Sequence, residues 1–182
     1  MDTPDEGMVR YDLSGLSVLF LEQHATMRSL MRGVLRELGI RIIQDASTPE
    51  DAFSLFCSGD YDLVLTDWAP TLDGMAVLKA IRTDPDSRNP YAPVIVVTAH
   101  TEIGRIYSAR DLGMTAFLAK PISARTLYSR IRAVIENKRS FIKCDKFFGP
   151  DRRNKRADYG GQERRSGDDE VDTAAPQGGS AA

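Results

Sequence analysis

Four short apolar runs recur along the chain, and each stops abruptly on polar residues. Ser17-Val18-Leu19-Phe20-Leu21 stops at Glu22-Gln23, Leu63-Val64-Leu65-Thr66 at Asp67, Val94-Ile95-Val96-Val97 at Thr98, and Ala116-Phe117-Leu118-Ala119 at Lys120-Pro121. In a parallel sheet with helical crossovers all strands point the same way, and ligands bind in the crevice outside their carboxyl ends. The four termini therefore meet. Carboxylates, an amide, a hydroxyl and an ammonium gathered at one edge make a site for a divalent cation and a phosphoryl group.

The residues between the runs supply the crossovers. After Glu22, Met27, Leu30, Met31, Val34, Leu35 and Leu38 fall at helical spacing, with Arg28, Arg32, Arg36 and Glu37 on the other face and Gly39 as the stop. Residues 40–44 read as a further strand. Thr48-Pro49-Glu50-Asp51 is a helix start with a capping hydroxyl, a proline at the first helical position and acids in the first turn; Gly59 closes that helix. A third helix is predicted over 74–82, a fourth over 102–112 and a fifth over 123–138, so five strands alternate with five helices.

Length then permits one domain over 15–140, preceded by an extension over 1–14. No apolar stretch approaches the roughly 20 residues that cross a bilayer, and the acidic amino terminus is unlike a secretory signal, so a cytoplasmic protein is expected. Cys57 and Cys144 have no metal-ligand spacing and read as a buried and a free thiol. A net charge of -2 names no partner. Beyond Arg139 the composition turns basic and then Gly-, Ser- and Ala-rich, so 141–182 is expected to be a low-complexity, mostly disordered tail. Its basic stretch around Phe147-Phe148 could touch nucleic acid, an anionic membrane or an acidic groove on a partner; the plainer reading, a solvated tail, is preferred.

Val18 to Gln23, Asp62 to Trp68, Pro70-Thr71-Leu72-Asp73-Gly74, Val94 to Ala99 and Lys120-Pro121, in this order, resemble the landmarks of bacterial response-regulator receiver domains. The similarity spans 16–138, and His24 to Arg28 is similar to the matching stretch of the chemotaxis regulator. The resemblance implies a doubly wound, flavodoxin-like α/β fold: a five-stranded parallel sheet of order 2-1-3-4-5, the order for which chemotaxis regulators are a standard example, with helices on both faces. It implies a stand-alone phosphorelay protein. Asp67 would accept a phosphoryl group from a histidine kinase or histidine phosphotransfer protein, assisted by Lys120 and by magnesium held by Glu22, Gln23, Asp67 and the Ala69 carbonyl. Thr98 and Phe117 would be the switch residues, and Pro121 would follow a cis peptide bond. The output would be a protein-binding face made by the fourth helix, fifth strand and fifth helix, with no nucleic acid or membrane span involved.

Two departures from the family pattern fall at this site. Receivers usually place two acids after the first strand, whereas the second position here is Gln23, so the site carries about -2 rather than about -3 and should bind magnesium weakly. The segment Asp67-Trp68-Ala69-Pro70 is also one residue shorter than usual, which displaces the Ala69 carbonyl. A degenerate receiver that binds its partner without phosphorylation is the alternative. An aspartyl phosphatase would need a second acid at Ala69, which argues against that class. For His24 and His100 structural roles are expected, with His100, two positions after Thr98, placed where receivers tune phosphoryl lifetime.

Overall fold

The computed structural model describes residues 11–69, 71–99, 103–137, 140–144 and 147–151. In chain order these form β1 (Ser17–Leu21), α1 (Ala25–Glu37), β2 (Ile42–Ala46), α2 (Pro49–Ser58), β3 (Leu63–Trp68), α3 (Gly74–Thr83), β4 (Val94–Thr98), α4 (Ile103–Asp111), β5 (Ala116–Ala119), α5 (Ala124–Glu136), β6 (Phe141–Cys144) and β7 (Phe147–Pro150). The first five strands make one parallel sheet in the order β2-β1-β3-β4-β5.

Strand alternation divides the core into two layers. Val18, Phe20, Leu65, Ile95 and Val97 face Leu35 of α1 and Leu127 and Ile131 of α5. Leu19, Leu21, Val64, Val94 and Val96 face Phe56 of α2, Leu78 and Ile81 of α3 and Ala109 of α4. The central strands are buried on both sides, which is why their sequences are continuously apolar. Thr48 accepts from the Asp51 amide, Asp73 from the Ala76 amide, and Ser123 with Thr126 closes a reciprocal capping box, so three crossovers enter their helices on side chains that satisfy otherwise orphaned amides.

Three expectations need correction. The second strand begins two residues late, at Ile42, because β2 must start opposite Ser17 of β1; Ile40, before it, plugs the core. Met27 and Leu30 lie at helical spacing with the inward stripe, yet they are 41% and 58% exposed. The third correction concerns the chain ends. Leu13 is buried and the Tyr11 amide donates to the Tyr128 hydroxyl, so 11–14 is packed rather than a free extension.

Beyond residue 140, β6 and β7 pair as an antiparallel hairpin, so 141–144 and 147–150 are not disordered. Phe141 is 6% exposed and forms an aromatic cluster with Tyr91 and Phe148. The Arg82 guanidinium lies 5.2 Å from the Phe141 ring centroid and donates to the carbonyls of Gly113 and Pro90. Burial pushes Arg82 down to about 9, so it remains charged at neutral pH, shared between two carbonyls and a ring face. Gly113 has φ +90, and a Cβ there would strike the Phe148 carbonyl oxygen: the hairpin backbone sits directly on this turn. The expectation of disorder for 152–182 lies outside the described residues, as does that of an extension over 1–10.

Candidate functional site

Asp67 stands at the carboxyl end of the central strand β3. The backbone leaving it is fixed by Thr66, whose hydroxyl donates to the Gly74 carbonyl at 2.9 Å, and by the glycine itself: a Cβ on Gly74 would collide with the Asp67 carbonyl oxygen and Thr66 Oγ1. The Asp67 side chain is 6% exposed. Its Oδ2 accepts from Lys120 Nζ at 2.9 Å, and the same ammonium donates to Glu22 Oε2 at 3.1 Å. The Lys120-Pro121 peptide is cis, as the resemblance implied. Asp67 Oδ1 is buried with no hydrogen-bond partner among the described residues. A cavity of about 10 Å³, room for a single water, lies between Glu22, Asp67 and Lys120 and the apolar Phe20, Met31 and Val97.

Glu22 is held from its other side. Its Oε1 accepts from the His24 amide at 2.9 Å and lies 3.0 Å from His24 Nδ1. Burial pushes Glu22 up, but the His24 amide and Lys120 outweigh it and the net shift is downward. For Asp67 burial wins: its carboxyl is raised, with Lys120 opposing and the Glu22 charge adding to the rise. Burial disfavours the Lys120 ammonium, yet its bonds to Asp67 and Glu22 prevail and raise it. The trio therefore behaves as one unit, two carboxylates around one cation.

Of the four expected metal ligands, Glu22 and Asp67 converge. The other two residues make hydrogen bonds away from this pair. Gln23 Nε2 donates to Thr71 Oγ1 at 2.6 Å, and the Ala69 carbonyl accepts from the Leu72 amide at 3.0 Å. The buried, unpartnered Asp67 Oδ1 fits a hard cation or a phosphoryl group, and two carboxylates suffice for a magnesium ion that keeps most of its waters. Thr98 is buried on β4 and its hydroxyl donates to the Trp68 carbonyl at 3.0 Å, one residue beyond Asp67. Phe117 is half-buried on β5, opposite Val96. His100 lies outside the described residues.

Two contacts escaped the sequence reading. Arg28, counted as an outer-face charge, donates to the carbonyls of Glu22 and Gln23 at 2.9 and 2.8 Å and pairs with Asp45, which Arg32 also reaches. A cation in the first turn of a helix opposes the macrodipole, and that was the available signal that Arg28 has local acceptors. Trp68, next to Asp67, carries the Arg105 guanidinium of α4 at 5.3 Å from its ring centroid, a direct link between the site and the fourth helix.

The sequence profile of the response regulator receiver domain matches residues 18–132. The chain belongs to this family. It is 31% identical to the chemotaxis protein CheY-3 of Vibrio cholerae over 122 residues, 66% of this chain and 92% of that one. Identity to CheY of Pseudomonas aeruginosa is 30% over 122 residues, 66% of this chain and 97% of the relative. Among solved structures, the receiver domain of a sensor histidine kinase from Pseudomonas aeruginosa, with a magnesium ion coordinated in its active site cleft, matches with a TM-score of 0.59 at 27% identity, covering 68% of this receiver and 99% of that chain. CheY4 of Vibrio cholerae matches at a TM-score of 0.59 and 21% identity over 65% and 98% of the two chains, a likeness of fold. The profile match ends within α5, before the β6–β7 hairpin.

Proposed function

We propose that this receiver accepts a phosphoryl group on Asp67 from a histidine kinase or a histidine phosphotransfer protein and thereby switches a protein-binding face formed by α4, β5 and α5. The observation that carries this reading is the Asp67 carboxylate itself: one oxygen is held by Lys120 while the other, Oδ1, is buried with no hydrogen-bond partner among the described residues. In the transfer, Oδ1 forms a bond to phosphorus as the phosphorus–nitrogen bond of phosphohistidine breaks; the electron pair stays on the imidazole, which takes a proton from solvent. Lys120 holds its positive charge against the incoming phosphoryl oxygens. Thr98 exchanges its bond to the Trp68 carbonyl for one to a phosphoryl oxygen, and the change at Trp68 reaches α4 through Arg105.

Glu22 and Asp67 are the residues that would hold magnesium, whose charge would offset the repulsion between carboxylate and phosphate. Binding is expected to be weak, since Gln23 brings no charge and Lys120 already neutralises part of the site. The protein would act in the cytoplasm as a signalling module rather than an enzyme; no helix among the described residues is long and apolar enough to cross a membrane.

A second reading, partner binding without phosphorylation, is favoured by one observation: Lys120 bridges both carboxylates and so already occupies the pair that would hold a metal. Incubation with acetyl phosphate and magnesium, followed by intact mass, separates the two. The first reading expects a gain of one phosphoryl group that Asp67→Asn abolishes and chelation of magnesium slows. An unlabelled wild type would leave the second.

A further inference from the structure

The two departures from the family pattern meet in a single bond. With one residue fewer after Asp67, the chain turns back on itself at once: the Ala69 amide donates to the Leu72 carbonyl at 3.2 Å and the Leu72 amide to the Ala69 carbonyl at 3.0 Å. This tight turn brings Thr71 to Gln23, whose Nε2 donates to Thr71 Oγ1 at 2.6 Å. Gln23 is on the connection leaving β1 and Thr71 on the connection leaving β3, neighbouring strands of the sheet, so the bond ties together the two loops that follow Glu22 and Asp67. An aspartate at position 23 would be shorter and could not donate.

Asp67 is 5% exposed and its Oδ1 is buried, so a phosphodonor reaches it only after something moves. Besides the hydrogen bonds of the His24 amide to Glu22 and of the Thr98 hydroxyl to the Trp68 carbonyl, three ties hold the surroundings. The Lys120 bridge is charge-assisted and part of the chemistry, and the Arg28 bonds to the Glu22 and Gln23 carbonyls come from a cation with 23% side-chain exposure. The Gln23–Thr71 bond is neutral and exposed, and it is therefore the weakest of the three.

We infer that the Gln23–Thr71 bond is a strap across the β1–α1 and β3–α3 loops, and that its opening governs how fast a small anionic phosphodonor reaches Asp67. This rests on the reading of Asp67 as phospho-acceptor. Thr71 is then a positioning residue: it touches neither donor nor acceptor and acts through the loop that carries it. With acetyl phosphate the reaction is attack by Asp67 Oδ1 on phosphorus, with the phosphorus–oxygen bond to the acetyl group breaking and acetate leaving with the electron pair.

The test compares initial labelling rates by intact mass, with acetyl phosphate and magnesium, for the full chain, Thr71→Val and Thr71→Ser, alongside their melting temperatures. Valine keeps the shape and loses the hydroxyl. It should label about two- to tenfold faster, the worth of one neutral hydrogen bond, with a melting temperature lowered by no more than a few degrees. Serine, which keeps the hydroxyl, should label at the wild-type rate. Valine labelling at or below the wild-type rate, or serine labelling as fast as valine, overturns the strap while leaving Asp67 as acceptor. No labelling in any of the three overturns both.

Discussion

Burial and the Lys120 ammonium pull the Asp67 carboxyl in opposite directions, and burial prevails. Burial raises its carboxyl above the ordinary value, so ionisation is easier in the unfolded chain than in the folded one. The contribution is therefore full at pH below the unfolded value and is lost as pH rises through the folded one. Asp67→Asn removes the charge and should raise the melting temperature at neutral pH by a few degrees, a gain that shrinks toward the acid range where wild-type Asp67 is protonated. A lower melting temperature for the variant at neutral pH would mean that the Lys120 bond outweighs desolvation. At this scale the sequence was informative wherever a site residue ends an apolar run, because strand direction alone then carries Glu22, Asp67, Thr98 and Lys120 to one edge. It was silent on Thr71 and Arg28, whose contacts depend on side chains crossing between loops rather than on any pattern along the chain.

At the scale of elements, strands and helices of the sheet were legible because runs, caps and glycine stops agree locally. Thr48-Pro49 and Ser123 mark helix entries that the structure uses. The β6–β7 hairpin was not legible, since its strands are four residues each and show no periodicity; they are held by tertiary contacts to Tyr91, Arg82 and Gly113 that no local signal announces. Phe141→Ala should therefore destabilise the protein by about 3–5 kcal/mol, the usual range for a buried aromatic, read as a lower denaturant midpoint with little change in slope. A loss below about 1 kcal/mol would mean that the hairpin is not anchored by this ring. Labelling of Asp67 should persist in the variant, because Gly113 and Pro90 precede β5 and β4 at the amino end of the sheet.

Across the whole molecule, the two ends of the sheet carry different things. The carboxyl end gathers Glu22, Asp67 and Lys120 with Thr98 close by, a charged and largely buried site. The amino end bears the hairpin, beyond the residues matched by the family profile. Trp68 and Arg105 connect the first of these to α4, where a receiver's output would be read. The decisive question is whether phosphorylation falls on Asp67 and nowhere else. Borohydride reduction of acetyl-phosphate-treated protein converts an aspartyl phosphate to homoserine, and peptide mass mapping locates it. Homoserine at position 67 alone is the expected result; homoserine at another aspartate, or at none, would contradict the assignment of Asp67 as the phospho-acceptor.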